Sequence, residues 1–215
     1  VRTKLSPKVQ AMYDIFVKES VLYTNSGTIN AVHAGARVKK LLQLVSGGVY
    51  DEDGNVQYLH QERYDIVMQL VASRKHSIVA FNWKHERDAL IEIAEKQNIT
   101  YELIDGSVPA HKRKDIVERF QAGHIQVLFC HPQSAGHGLT LTKATTAIWC
   151  SPTYNAEHFQ QFNKRIYRAG QKSKTETILI AAQKTWEEDV YKKLDSKLGK
   201  MENLLHILTA LNNDK

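Results

Sequence analysis

The pattern of apolar and polar positions divides this chain near residue 75. Upstream, residues 6–21 and 29–46 carry apolar positions at helical spacing, with Leu41, Leu42 and Val45 on one face of the second segment. The stretch "GGVYDEDGNVQYL" (47–59) reads as a short hairpin around an Asp53-Gly54 turn, and a further helix is expected over 60–74. Downstream, short apolar runs alternate with longer amphipathic ones. "SIVAF" (77–81), "YELI" (101–104), "IQVLFC" (125–130), "TAIWC" (146–150) and "TETILIA" (175–181) read as strands. Helices are expected at 84–97, 109–121 and 156–169, and a long one over 185–211.

Short apolar strands that alternate with helices are the pattern of a parallel sheet covered on both faces by helices. The expected fold is therefore α/β: a three-layer α/β/α core with a mainly parallel sheet, N-terminal helices with a small hairpin, and a long C-terminal helix. Its divisions are 1–74 for the helices and hairpin packed on the core, 75–184 for the core, and 185–215 for the last helix. Open sheets of this kind bind ligands outside the carboxyl ends of their strands. The loops after residues 81, 104, 130 and 150 are the places to search.

Composition narrows this only slightly. With 42% hydrophobic residues the chain can bury a core, and no apolar run approaches the roughly 20 residues of a membrane span. A net charge of +6 favours a polyanionic partner, though modestly. Two cysteines, Cys130 and Cys150, are too few for a disulfide framework and suit a reducing compartment. The first residue is Val1 rather than Met, which suits a piece of a longer protein.

Candidate chemistry begins with "RIYRAGQ" (165–171). On a helix over 156–169, capped by Asn155 and ended by Gly170, Phe159, Phe162, Ile166 and Ala169 share one side. Gln161, Arg165 and Arg168 share a neighbouring stripe, so two guanidiniums can grip one anion. The loop "HPQSAGHGLTLTKA" (131–144) holds Ser134, Gly136, Gly138 and Thr140, small residues that let backbone N–H groups approach an anion. "LIDGS" (103–107) puts Asp105 and Gly106 at a strand end, with Arg113 a turn into the next helix. "AFNWKHERD" (80–88) puts Asn82, Lys84 and His85 after a strand, where a solvated helix start accounts for them equally well.

In this order and spacing the four stretches resemble the second motor lobe of superfamily-two helicases, most closely the compact Swi/Snf-like DNA translocases of bacteria and phages. "SIVAF" resembles the family's fourth motif, "SAGHGLTLTKA" the fifth and "QQFNKRIYRAGQ" the sixth, while "TWEEDVYKKLDSK" resembles its closing helix. The resemblance covers about 75–200 and implies a RecA-like core. It implies that Arg165 and Arg168 act as catalytic arginine fingers toward ATP and Mg²⁺ held by a first, N-terminal RecA-like lobe of the same protein, with Gln161, Gly138 and Gln171 supporting that site. Asn82, Lys84, Asp105, Gly106, Arg113, Ser134, Gly136 and Thr140 would hold the phosphates of DNA, double-stranded and of any sequence. It also implies no metal or nucleotide held by this chain alone, and a location in bacterial or phage-infected cytoplasm, or in a nucleus.

No G-x-x-x-x-G-K-[ST] loop occurs, so the phosphate-holding lobe lies elsewhere. Two rival readings stand beside the motor: an ATP-independent nucleic-acid-binding module, and a Rossmann-like enzyme. The latter lacks its third glycine, since "AGHGLT" offers only G-x-G. "DEDGNVQYLHQE" (51–62) mimics a calcium loop but has Val56 where glycine is required. Cys130, His131, His137 and Cys150 lack paired zinc spacing, and buried strand cysteines are expected instead. Leu204, Leu205, Leu208 and Leu211 form a stripe suited to packing.

Overall fold

The computed structural model describes residues 1–24, 27–31, 34–135 and 138–213, with side chains described through Lys200. Strand β1 (Arg2–Thr3) leads to α1 (Pro7–Glu19), whose Pro7 suits the first helical turn and whose end is marked by Ser20 in the left-handed region. Two antiparallel pairs follow, β2 (Val21–Thr24) with β3 (Gly27–Asn30), and, after α2 (Ala34–Ser46), β4 (Gly48–Tyr50) with β5 (Val56–Tyr58). Helix α3 (Glu62–Ala72) precedes the alternating part of the chain.

That part runs β6 (Ser77–Ala80), α4 (Lys84–Lys96), β7 (Tyr101–Ile104), α5 (Ala110–Gln121), β8 (Val127–Cys130) and α6 (Pro132–Ala135). It continues through β9 (Thr146–Trp149), α7 (Ala156–Asn163), β10 (Glu176–Leu179), β11 (Ala181–Ala182) and α8 (Trp186–Asn213). The five expected strands form one parallel sheet in the order β10-β9-β6-β8-β7. Ile78, Ala80, Leu128, Cys130, Ala147 and Trp149 point to one face, where Phe120 of α5 and Phe162 of α7 pack. Val79, Phe129 and Ile148 point to the other, against Tyr64 and Met68 of α3 and Leu90 of α4. This is the three-layer α/β/α arrangement.

β6 lies at the centre, and the chain visits β7 and β8 on one side of it before crossing to β9 and β10 on the other. That makes its carboxyl end, at Phe81–Trp83, a topological switch point. A third cluster joins Tyr13, Phe16, Leu22, Ile29, Leu41 and Leu44 to Ala182 of β11, so the N-terminal elements close on the end of the core. The parallel pairing of β1 with β11 reinforces this closure, as does the Trp186 amide, which donates to the Tyr13 hydroxyl at 2.9 Å.

Two helix expectations are corrected. Residues 29 and 30 belong to β3, because "VLYT" and "GTIN" pair as strands that bury Leu22 and Ile29 on one side. The helix expected over 156–169 stops at Asn163, for a reason that bears on the site.

Candidate functional site

Asn155 does cap α7, its side chain accepting from the His158 amide at 3.0 Å. The far end is held by Trp149, whose indole N–H donates to Asn163 Oδ1 at 3.0 Å and whose ring packs on Phe159 and Phe162. Beyond Asn163 the ladder tightens, the Arg165 and Ile166 amides donating three residues back to the Phe162 and Asn163 carbonyls at 3.0 and 3.4 Å. The Arg165 carbonyl accepts from the Leu141 amide at 3.0 Å, and the Ile166 carbonyl accepts from the Gln171 side chain at 3.0 Å. These bonds hold the turned segment against the loop before β9. Phe162 and Ile166 are buried as expected, whereas Ala169 is exposed.

The turn brings Arg165 and Arg168 to one acceptor. Both Nη1 atoms reach the Leu139 carbonyl, at 3.3 and 3.4 Å, and Arg168 also donates to Thr140 Oγ1 at 3.3 Å. Burial, and then the charge of Arg168, lower the pKa of Arg165. Gly138, with φ of 70°, begins this ledge. Gln171 sits beneath it: its amide N–H groups go to the carbonyls of Thr142, Ala144 and Ile166, and its oxygen accepts from Ser173. Gln161 lies on α7 and donates to Glu157 at 2.8 Å. Gly136 and His137 lie outside the described residues.

A second group gathers at the carboxyl ends of β6, β7 and β8. Asn82, Lys84, Asp105, Gly106 and Ser134 line one cavity of about 510 Å³. Asp105 accepts from the Ser107 amide at 2.8 Å and from Arg87 at 3.2 Å. Burial opposes its ionisation, but the Ser107 and Arg87 hydrogen bonds outweigh that and lower its pKa. Arg113 donates to the carbonyls of Val108, Asp105 and Ser134, so it ties two loops together. Asn82 links β6 to the end of β9 by donating to the Ser151 carbonyl and hydroxyl at 2.9 and 3.0 Å. Thr140 stands apart from this group, beside the arginines. One connection, from β8 to β9, thus contributes to both sites.

The model of the helicase conserved C-terminal domain matches residues 62–170, a span that contains both groups. The chain belongs to the helicase C-terminal domain family. It is 27% identical to putative protein p41 of Acyrthosiphon pisum secondary endosymbiont phage 1, over 97% of this chain and 45% of that protein. It is 30% identical to mouse chromodomain-helicase-DNA-binding protein 1-like, over 62% of this chain and 15% of that one. The crystal structure of the C-terminal part of the Fun30 ATPase domain shares the fold, with a TM-score of 0.57 at 17% identity, covering 64% of this chain and 48% of that one. The chain spans less than half the length of these relatives, and the helicase domain here resembles the second lobe of Swi/Snf-type proteins.

Trp83 and Glu86 of this helicase domain were not singled out by sequence reasoning, and His85 was expected in solvent. Trp83 lies at the switch point, and an aromatic between polar neighbours after a strand was a usable signal. Glu86 is fully buried, accepts from the amides of Asn82 and Trp83 at 2.7 and 3.2 Å, and is pushed by burial to a pKa of about 7. His85 is buried rather than solvated, held by Ser46 Oγ at 2.8 Å and Tyr50 Oη at 3.1 Å, and burial pushes its pKa down to about 3. The hairpin tip is closed by Asp51, which accepts from Asn55, and both cysteines are buried and free. Among the described residues no cluster of three metal-ligating side chains occurs, and no helix is long and apolar enough to cross a membrane.

Proposed function

We propose that this chain is the second motor lobe of an ATP-dependent DNA translocase or helicase, acting with an N-terminal RecA-like lobe of the same protein. The observation that carries this reading is the convergence of Arg165 and Arg168 on the Leu139 carbonyl. Two guanidiniums on one acceptor repel each other, and an anion placed between them relieves the repulsion. These side chains suit the terminal phosphate of ATP presented by the opposite lobe. Bound ATP and Mg²⁺ would supply the phosphoryl group and its counter-ion. Charge grows on the phosphoryl oxygens during transfer, and a guanidinium finger is worth on the order of 10³–10⁵ in rate. Thr140 and Gly138 shape the ledge, and Gln171 fixes the segment beneath it.

Lys84, Gly106 and Ser134 are assigned to phosphates of DNA, with Asn82, Asp105 and Arg113 organising their loops. Phosphate contacts position a strand without reading it, so binding should be independent of sequence and fall steeply with salt. The test is DNA-stimulated ATP hydrolysis by the full-length protein. Arg168→Ala should reduce it by about 10³-fold while leaving DNA affinity intact. Unchanged turnover in that variant rejects the finger assignment. Wild-type protein that binds DNA but shows no DNA-stimulated hydrolysis supports the ATP-independent binding module instead. The 215-residue chain alone should hydrolyse ATP negligibly.

A further inference from the structure

We infer that the groove between α2 and α4 takes one unpaired nucleotide of a nucleic-acid strand, with its base against Trp83 and its flanking phosphates at Lys39 and Lys84. This rests on the motor-lobe reading and names the form of nucleic acid that this face accepts.

Trp83 lines three adjoining cavities, of about 570, 530 and 510 Å³, in each case beside Asn82. The first two lie along α2 and share Lys39, and the last two share Lys84. Together they form a continuous groove across the switch point, in the size range that holds a ligand. Lys39 and Lys84 are exposed, and the lysine ion pairs among the described residues involve Lys96, Lys114 and Lys192 instead. Lys40 also lines the middle cavity, where it donates to the Tyr50 carbonyl, and its pKa is lowered by burial and then by Lys39. The acids lining the groove are both engaged, Asp51 by Asn55 in the hairpin tip and Asp105 by Ser107 and Arg87.

The indole is half-exposed at the groove. Its ring lies parallel to the His85 imidazole within 5°, at a centroid distance of 6.4 Å. Ser46 and Tyr50 hold that imidazole by hydrogen bonds, and its low pKa keeps it neutral. A half-exposed aromatic among unpaired cations is the chemistry of strand binding without sequence preference: the ring stacks a base while the cations follow the backbone. A base inside a duplex presents only its edges, so stacking requires an unpaired nucleotide. Lys39 belongs to α2, outside the residues 62–170 that match the helicase family.

The test uses the 215-residue chain and measures its affinity for oligothymidylate, for an abasic strand of the same length, and for a duplex. The wild type should bind oligothymidylate about ten-fold tighter than the abasic strand. Trp83→Ala should erase that difference, and Trp83→Phe should retain most of it. Lys39→Glu should weaken both single strands and lower the slope of log K against log salt by about 0.7 per lost phosphate contact. Equal affinity of wild type and Trp83→Ala for oligothymidylate, with unchanged melting temperatures, overturns the inference. So does equal competition by thymidine monophosphate at the same phosphate concentration, which would make the groove a mononucleotide site. These outcomes are independent of DNA-stimulated hydrolysis and its loss in Arg168→Ala, so the motor reading can stand if the groove assignment fails.

Discussion

Arg63 and Glu187, 124 residues apart, meet at 2.7 Å in the interior, with side-chain exposures of 3% and 0%. Arg63 also donates to the carbonyls of Cys150 and Val45, and Glu187 accepts from the Ala182 amide at 2.8 Å. One ion pair therefore ties α3, α8, the end of β9 and the end of α2 to one another. It joins the N-terminal elements and the last helix to the core that carries the site.

Removing one partner leaves the other charged and buried. Arg63→Met should cost about 3–5 kcal/mol in urea unfolding, and the pair Arg63→Met with Glu187→Leu should recover part of that loss. Recovery stays incomplete because the Cys150 and Val45 carbonyls lose their donor. If the double variant is no more stable than the single one, the stranded carboxylate is not the source of the cost.

Glu86 should set a pH dependence of opposite sign to the usual carboxylate. Its folded pKa of about 7 lies above the ordinary carboxyl value of 4.5, so between these limits the folded state holds a proton that the unfolded state lacks. Its contribution to stability is thus present below 4.5 and lost as pH rises through 7. Relative to wild type, Glu86→Gln should gain stability on going from pH 4.5 to pH 8, by on the order of 3 kcal/mol. Thermal melts of both proteins across that range, in which the His85 contribution is common, provide the measurement. A flat difference would mean that Glu86 titrates near its ordinary value.

Gly47 should not tolerate a side chain. Its φ is 120°, and a Cβ there would lie 2.5 Å from Tyr64 Oη and 2.8 Å from the His60 carbonyl. Gly47→Ala should cost about 2–4 kcal/mol, since backbone strain and overpacking act together. Gly54, with φ of 85° at the hairpin tip, has open space around it, so Gly54→Ala should cost only about 1 kcal/mol. Comparable losses in the two variants would show that the clash with Tyr64 and His60 relaxes.

Much of the core was legible in order along the chain. "SIVA", "VLFC" and "TAIW" are buried at every position, and a run that is apolar on both faces suits a strand between two layers. The Asp53-Gly54 hairpin and the Asn155 cap were legible because each is decided by neighbours in sequence. The β2–β3 pair was not, since its short runs also fit a helix and its choice rests on packing against Phe16 and Leu41. His85 illustrates the same limit: its polar character suggested solvent, whereas Ser46 and Tyr50, distant in sequence, satisfy it in the interior.

The sequence by itself determined the helicase-type core and the residues available to its site, because strand burial, helix capping and turn chemistry act over a few residues. Only the tertiary structure decided how those residues meet. The Arg165 and Ile166 amides bond three residues back and end α7, and the Leu141 amide and the Gln171 side chain fix the segment in which Arg165 and Arg168 meet the Leu139 carbonyl. The packing of α2 beside α4 likewise brings Lys39 to Trp83 across a gap in sequence that no local pattern spans. Hydrogen-bond competition and burial between distant segments settle such meetings, and their energies depend on partners that local sequence does not name.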